Sequence, residues 1–184
     1  DKLISIDAID SAQVTMADAA VQVTDEVDLS KINALRADTT GNITVDEIKD
    51  NKVNLAAVNA FVVEEGLAGD VILSDSDITV TDVVDKSEAD IINAYNDVSG
   101  TVTLTSVTDL LANVNALSTT DGISIATSDL KVTDTTTLSD ATTLNSYTSR
   151  EVTLDKVTDT FANVQSIHDL TPTEENPDGV DLTA

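Results

Sequence analysis

The sequence predicts an α/β solenoid over residues 1–184, with about six coils of 21–31 residues that each carry two short parallel strands and one short helix. Three observations predict this fold class. A segment pattern recurs along the chain, apolar positions of the aligned units form columns, and the helical runs are too short to be stable alone. The clearest unit is residues 101–117, TVTLTSVTDLLANVNAL.

Each predicted coil opens with two extended segments in which apolar and polar residues alternate, as in strands with one buried face. The first strand contributes the column Val14, Ile43, Val71, Val102, Ile123, Val152 and Val180, and two residues later the column Met16, Val45, Leu73, Leu104, Ile125, Leu154 and Leu182. The second strand contributes Val21, Ile48, Ile78, Val107, Leu130 and Val157. Because a full circuit of the chain separates equivalent strands, we expect them to stack in parallel.

A short helical run closes each coil. In residues 109–117, Leu110, Leu111, Val114 and Leu117 recur at spacings of three and four and form one apolar stripe. Two helical turns need the strand layers beneath them, so one coil alone is not expected to fold. The distance from the VTD motif to the helix end alternates along the chain, which favours a repeat of two coils.

Charge and composition exclude several function classes. The chain has 34 acidic and 9 basic residues, for a formal charge of −25, and such a field repels nucleic acid and anionic lipid headgroups. Either a solvated surface or organised cation binding accounts for this charge. There is no Cys, which excludes disulfides and Cys-based zinc sites, and no apolar run is long enough for membrane insertion. The chain opens on Asp1, and we expect a fragment of, or a building block for, a longer array.

An Asp follows the second strand of every coil. This Asp column contains Asp25, Asp50, Asp82, Asp109, Asp134 and Asp159. Its position before a helix predicts that each carboxylate accepts bonds from the first free N–H groups of that helix. The alternative is a column of calcium ligands, which needs several oxygens per ion from adjacent coils.

An Asn recurs near the helix ends. This Asn column contains Asn33, Asn59, Asn93, Asn115 and Asn145, with Gln165 in the last coil. Buried amides must find hydrogen-bond partners, and a repeat supplies them regularly, so we expect a structural role.

Threonines occupy the outward strand positions. They include Thr15, Thr44, Thr103 and Thr153, beside Thr24, Thr81, Thr108, Thr133 and Thr158. Strand propensity accounts for them, because Thr suits a pleated surface. A double row of Thr also suggests an ice-binding solenoid, although Ile72, Ser124 and Lys49 interrupt it.

The remaining candidates for chemistry are two acidic clusters. Asp75 and Asp77 form the first, and Glu174, Glu175 and Asp178 the second; neither matches the spacing of a twelve-residue calcium loop. We therefore expect no resident cofactor, with Ca²⁺ as the one candidate. No base is placed to activate a Ser or Thr nucleophile, so we expect no catalysis.

The recurring VTD…LNAL…TGxVT pattern resembles the repeat regions of very large secreted bacterial surface proteins of S-layer-like or haemolysin type, as in cyanobacteria. The residues that carry it are 102–104, 107–109 and 114–117 and their counterparts in the other units. The resemblance implies an extracellular location and often calcium dependence. The expected function is a structural module of an S-layer, filament or adhesin stalk, with copies of itself or flanking repeats as partners. A calcium-stiffened, ligand-binding adhesin segment is the alternative.

Overall fold

The computed structural model describes residues 16–61, 70–96, 99–168 and 180–181. Its strands are β1 (Val21–Val27), β2 (Ile43–Asp50), β3 (Val71–Ile72), β4 (Asp77–Val84), β5 (Val102–Asp109), β6 (Ile123–Ser124), β7 (Asp129–Thr136), β8 (Val152–Val157) and β9 (Val180–Asp181). Its helices are α1 (Leu29–Asp38), α2 (Lys52–Ala60), α3 (Lys86–Asn93), α4 (Leu111–Leu117), α5 (Leu138–Asn145) and α6 (Phe161–His168). We call each long strand with the helix that follows it a module. Modules 1 to 6 contain β1, β2, β4, β5, β7 and β8, and β3 and β6 belong to modules 3 and 5.

The described residues form two compact units. The first comprises those within Asp1–Thr81 and Ile91–Val102, and the second those within Asp82–Asp90 and Thr103–Ala184. Strand β4 and helix α3 each contribute residues to both units.

In the first unit, β2 pairs in parallel with β1 on one side and with β3 and β4 on the other. Strand β3 pairs with Ile43 and Thr44 at the start of β2, and β4 pairs with the last four residues, Glu47–Asp50. Strands β3 and β4 are therefore two pieces of one strand position.

The second unit repeats this arrangement. Strand β5 pairs with β6 and, through Ser106 to Asp109, with β7 in parallel. On its other side β7 pairs in parallel with β8, and β8 pairs through Val152 and Thr153 with β9. Strand β7 therefore pairs along most of one edge of β8, from Val152 to Val157, whereas β9 pairs with only two residues of the other edge.

The predicted solenoid with two short strands per coil is wrong. In each unit every module contributes one strand position to one parallel sheet. The predicted stacking is correct in places, since Ile43 pairs with Val71 and Val107 with Leu130. Elsewhere the register slides: Val152 pairs with Leu130 rather than stacking on Ile123.

The error came from the polar pair Asp46–Glu47 and its counterparts. Ile43, Val45 and Ile48 are buried, so the alternation of buried and exposed residues slips by one at this pair. This change in alternation predicts a turn between two short strands, whereas β2 continues without a break from Ile43 to Asp50. The partner β1 has two residues, Thr24 and Asp25, between Val23 and Glu26 where β2 has only Asp46. A β-bulge absorbs the phase change locally.

Aliphatic side chains on one face of each sheet form the core with the helices. Each helix contributes one or two buried residues to this core: Ile32 and Leu35, Leu55 and Val58, Ala89 and Ile92, Val114 and Leu117, Ala141 and Leu144, and Ile167. Helix α4 packs on β7 and α5 packs on β8 and α6. Burying each large aliphatic side chain contributes about 1.5–3 kcal/mol, which supports helices too short to persist alone.

The opposite face of each sheet is polar. Gln22, Lys49 and Thr81 in the first unit and Lys131 and Thr133 in the second are exposed. Parallel sheets are usually covered on both faces. Where the described residues leave this face exposed, its hydroxyl and charged side chains make it compatible with water.

One turn requires glycine for lack of space. A Cβ on Gly41 would collide with the backbone of Ala19 and Ala20. The turn is held by Thr39, whose hydroxyl donates to the Ala19 carbonyl at 2.6 Å and accepts from the Gly41 N–H at 2.9 Å.

Candidate functional site

The Asp column is the most regular polar feature of the described chain. Asp109 ends β5, and its Oδ2 accepts a hydrogen bond at 2.8 Å from the N–H of Lys86, the first residue of the preceding helix. Its Oδ1 accepts from the N–H of Leu110 at 2.7 Å and from Nδ2 of Asn113 at 2.8 Å. One carboxylate therefore holds the starts of two successive helices.

Asp50 and Asp159 repeat these contacts in modules 2 and 6. Their Oδ2 atoms accept from the first N–H of the preceding helix, on Leu29 and Leu138, both at 3.0 Å. Their Oδ1 atoms accept from Asn51 N at 2.8 Å, Asn54 Nδ2 at 2.8 Å, Thr160 N at 2.8 Å and Asn163 Nδ2 at 2.7 Å. The signal was present in the sequence as Asp-x-x-x-Asn, and our interpretation of the sequence missed it.

The other members of the column lie inside long strands. Asp25, Asp82 and Asp134 fall within β1, β4 and β7 and are half-buried. The Oδ1 of Asp134 accepts from the N–H of Leu111, the first residue of α4, at 2.8 Å. The sequence predicted capping of the helix that follows, and the structure places this bond on the helix of the preceding module.

Different residues cap the helices that follow these strands. Asp28 accepts from the N–H of Lys31 at 2.9 Å at the start of α1. At α5, Thr137 and Asp140 bond reciprocally as a capping box. The helices of modules 1 and 5 thus have an N-cap side chain from their own module. Each also donates its first N–H to the Asp of the next module, Asp50 or Asp159.

Electrostatics favour the ionised form of two carboxylates of this column, Asp109 and Asp159. Burial raises the pKa of Asp109, but hydrogen bonds from Lys86, Asn113 and Leu110 and the charge of Lys86 outweigh it, so the pKa lies below its ordinary value. For Asp159, backbone bonds from Leu138 and Thr160 lower the pKa. Each carboxylate also lies at the positive end of a helix dipole.

The Asn column does not act as a uniform amide ladder. Asn33 is exposed, and Asn59, Asn93, Asn115 and Asn145 are half-buried. The Oδ1 atoms of Asn115 and Asn145 are buried without a hydrogen-bond partner, which costs about 1–3 kcal/mol each. The structural role predicted for these amides stays a prediction.

Several threonines of the outward face lie beside other residue types on the neighbouring strand. Thr44 lies beside Gln22, Thr79 beside Lys49, and Lys131 stands between Thr108 and Thr153. Lys131 also forms an ion pair with Asp155, with Nζ and Oδ1 3.0 Å apart. In these pairings each Thr lies beside a Gln or a Lys, and the double row of an ice-binding solenoid stays a prediction. Thr15 lies outside the described residues.

Both carboxylates of the first acidic cluster accept hydrogen bonds from the segment 99–101. Asp77 accepts from the N–H of Thr101 at 2.8 Å, and Asp75, in the left-handed region with φ of 81°, accepts from the Ser99 hydroxyl at 2.6 Å. Glu174, Glu175 and Asp178 lie outside the described residues. Among the residues that the structure does describe, no group of three or more His, Cys, Asp or Glu side chains is arranged to hold a metal ion.

Two open pockets occupy equivalent positions in the two units. The first, of about 460 Å³, lies against residues 71–74 and Tyr95, and the second, of about 320 Å³, against residues 123–126 and Tyr147. Hydroxyl and aliphatic side chains line both pockets, and the first is also lined by Asn42, Asn59 and Asp70.

None of the helices within the described ranges combines the length and hydropathy needed to cross a bilayer. Comparisons of the chain with protein-family models, curated proteins and solved structures found no match.

Proposed function

We propose that the chain is a structural repeat module of an extracellular or cell-surface assembly, such as an S-layer, a filament or an adhesin stalk, and that it performs no catalysis. The observation that supports this proposal is the bond between modules in the Asp column. Asp50, Asp109, Asp134 and Asp159 each cap a helix of the module before their own.

This arrangement suits an extended array. A helix of 7–10 residues loses stability when its first N–H groups lack acceptors, and here the next module supplies the acceptor. Each added module completes the one before it and leaves its own helix to be completed by the next. A repeat joined in this way is stabilised by its neighbours and has no inherent end.

The calcium-stiffened adhesin is the second candidate, and the geometry favours it less. In Asp50, Asp109 and Asp159 both carboxylate oxygens already accept N–H donors. A calcium ion needs six to eight oxygen ligands and would have to displace these donors. Calcium titration followed by thermal melting discriminates: a midpoint that rises with calcium favours the adhesin.

Cellular location tests the proposed function directly. Antibodies against the purified chain should label intact cells of the source organism and material sheared from their surface. Labelling with antibodies to a cytosolic enzyme provides the control for cell integrity. Signal that appears only after lysis would contradict a surface role.

A further inference from the structure

We propose that a second copy of this chain docks its strand β1 along the second half of β8, which has no partner among the described strands on that edge, so that Asp25 of the second copy caps helix α6 of the first. This inference rests on the proposed structural function and names the joint through which copies would associate. It derives from an interface that occurs repeatedly inside the chain.

The receiving edge is the second half of β8. Strands β2 and β5 pair in full along the corresponding edge: a short strand covers the first residues, and a long strand covers Glu47–Asp50 or residues 106–109. On β8, the short strand β9 covers Val152 and Thr153. Lys156 and Val157 have no described partner on that side. Unpaired N–H and C=O groups on a strand edge are a template for another strand.

The start of α6 supplies a second element of the receiving surface. Phe161 is the first residue of α6 and corresponds to Leu111 of α4, since each stands two positions after the Asp that ends its strand region. The N–H of Leu111 donates to Asp134 of the next module. No described residue accepts from the N–H of Phe161, and its side chain is 84% exposed.

Strand β1 has the features that complete this surface. It corresponds to β7: Val21, Val23 and Asp25 match Leu130, Val132 and Asp134, and a bulge precedes the same position in both strands. In β7 one edge pairs with β5 and the other with β8, whereas β1 pairs among the described strands only with β2. The edge that β7 presents to β5 therefore has no partner on β1 among the described residues.

The internal register predicts the contacts of the joint. Val107 pairs with Leu130 and Thr108 with Lys131, so Val157 should pair with Val21 and Thr158 with Gln22 of the second copy. The carboxylate of Asp25 then lies at the positive end of α6, as Asp134 lies at α4. The two edges differ, so the contact is head to tail and can link more than two copies.

Association should appear in sedimentation velocity over a wide range of protein concentration. The formal charge of −25 per copy opposes contact, so the measurement is made in high salt to screen it. We expect a series of oligomers whose size grows with concentration. A single monomeric species at every concentration and salt level overturns the proposal.

Two pairs of variants test the two sides of the joint. Asp25→Lys should lower the association constant roughly tenfold or more, because it removes a charged hydrogen-bond acceptor. Asp38→Lys makes the same charge change at the exposed end of α1 and should not weaken association. Phe161→Pro removes the N–H at a position where proline suits a helix, whereas Phe161→Ala keeps it. If the two variants of either pair changed the association constant equally, the proposed contact between β1 and β8 would be contradicted.

Cysteine cross-linking tests the register. The chain has no Cys, so Thr158→Cys and Gln22→Cys each introduce a single thiol at an exposed position. A mixture of the two variants should form a disulfide-linked pair under mild oxidation, since neighbouring strands bring the residues within disulfide range. A mixture of Thr158→Cys with Thr133→Cys is the matched control. Equal cross-linking in both mixtures would overturn the register, while surface labelling of cells would still test the proposed function separately.

Discussion

Modules 4 and 5 use the same tripeptide in different ways. In module 4, residues 107–109 read VTD and end β5, and the helix begins two residues later. In module 5, residues 132–134 also read VTD, but β7 continues through Thr136 before its helix begins at Leu138. The motif therefore marks a place where the chain leaves the regular strand ladder, either by ending the strand or by bulging within it.

The two modules also divide the capping differently. Asp109 holds its own module's Leu110 and Asn113 as well as Lys86 of the preceding helix. Helix α4 has Leu110 at its N-cap, which offers no side-chain acceptor. In module 5 a capping box of Thr137 and Asp140 serves α5. The comparison teaches that a shared position in a repeat does not imply a shared set of partners.

Core truncation should affect the two modules equally and most strongly. Leu104 in β5 and Leu130 in β7 are both buried. Leu104→Ala and Leu130→Ala should each lower the free energy of unfolding by about 2–5 kcal/mol, because each leaves a cavity under a helix. Urea denaturation of both variants checks this. A difference of several kcal/mol between them would show that the two modules do not share one kind of core.

Removing the carboxylate should distinguish the modules. Asp109→Ala should cost about 2 kcal/mol, because donors at two helices lose their acceptor, whereas Asp134→Ala should cost about 1 kcal/mol. Asp38→Ala, at the exposed end of α1, is the charge control. Chemical denaturation of the three variants measures the order, and a larger loss for Asp134→Ala than for Asp109→Ala would contradict the division of partners.

Acid should weaken the even-numbered modules through Asp109 and Asp159. Both pKa values are lowered in the folded chain, so their contribution to stability is present above the unfolded pKa of about 4 and is lost as pH falls towards the folded pKa. We expect the Asp109→Ala, Asp159→Ala double variant to lose less stability than wild type between neutral pH and about pH 3. Urea midpoints across this range test the sign. Parallel curves for the two proteins would refute the assignment.

Breaking the cross-strand ion pair should have the smallest effect. Lys131 and Asp155 join β7 to β8 at an exposed site. Lys131→Ala should change the free energy of unfolding by less than about 1 kcal/mol, and high salt should remove the difference. Denaturation of both proteins at low and high salt checks this, and a large loss that persists in salt would mean that the outward face is structurally important.

Part of the fold could be predicted from residue pattern alone. The positions of the strands and helices follow from local alternation and from apolar spacings of three and four, because both depend on neighbouring residues. Pairings such as Ile48 with Ile78 also followed from aligned repeats. The sliding register could not be predicted in this way. The bulge in β1 adds one residue between the Val21–Ile43 pair and the Val27–Ile48 pair, and the sequence pattern treats a bulge and a corner alike.

For the candidate site, the sequence by itself determined which residues recur: one Asp near the end of each extended segment and, in modules 2, 4 and 6, an Asn four positions on. Tertiary structure alone decided the partners. The N–H that Asp50 binds belongs to Leu29, 21 residues earlier, and only the parallel packing of successive modules brings the two together. Local pattern reports what a residue can bind, and the fold decides which donor lies within reach.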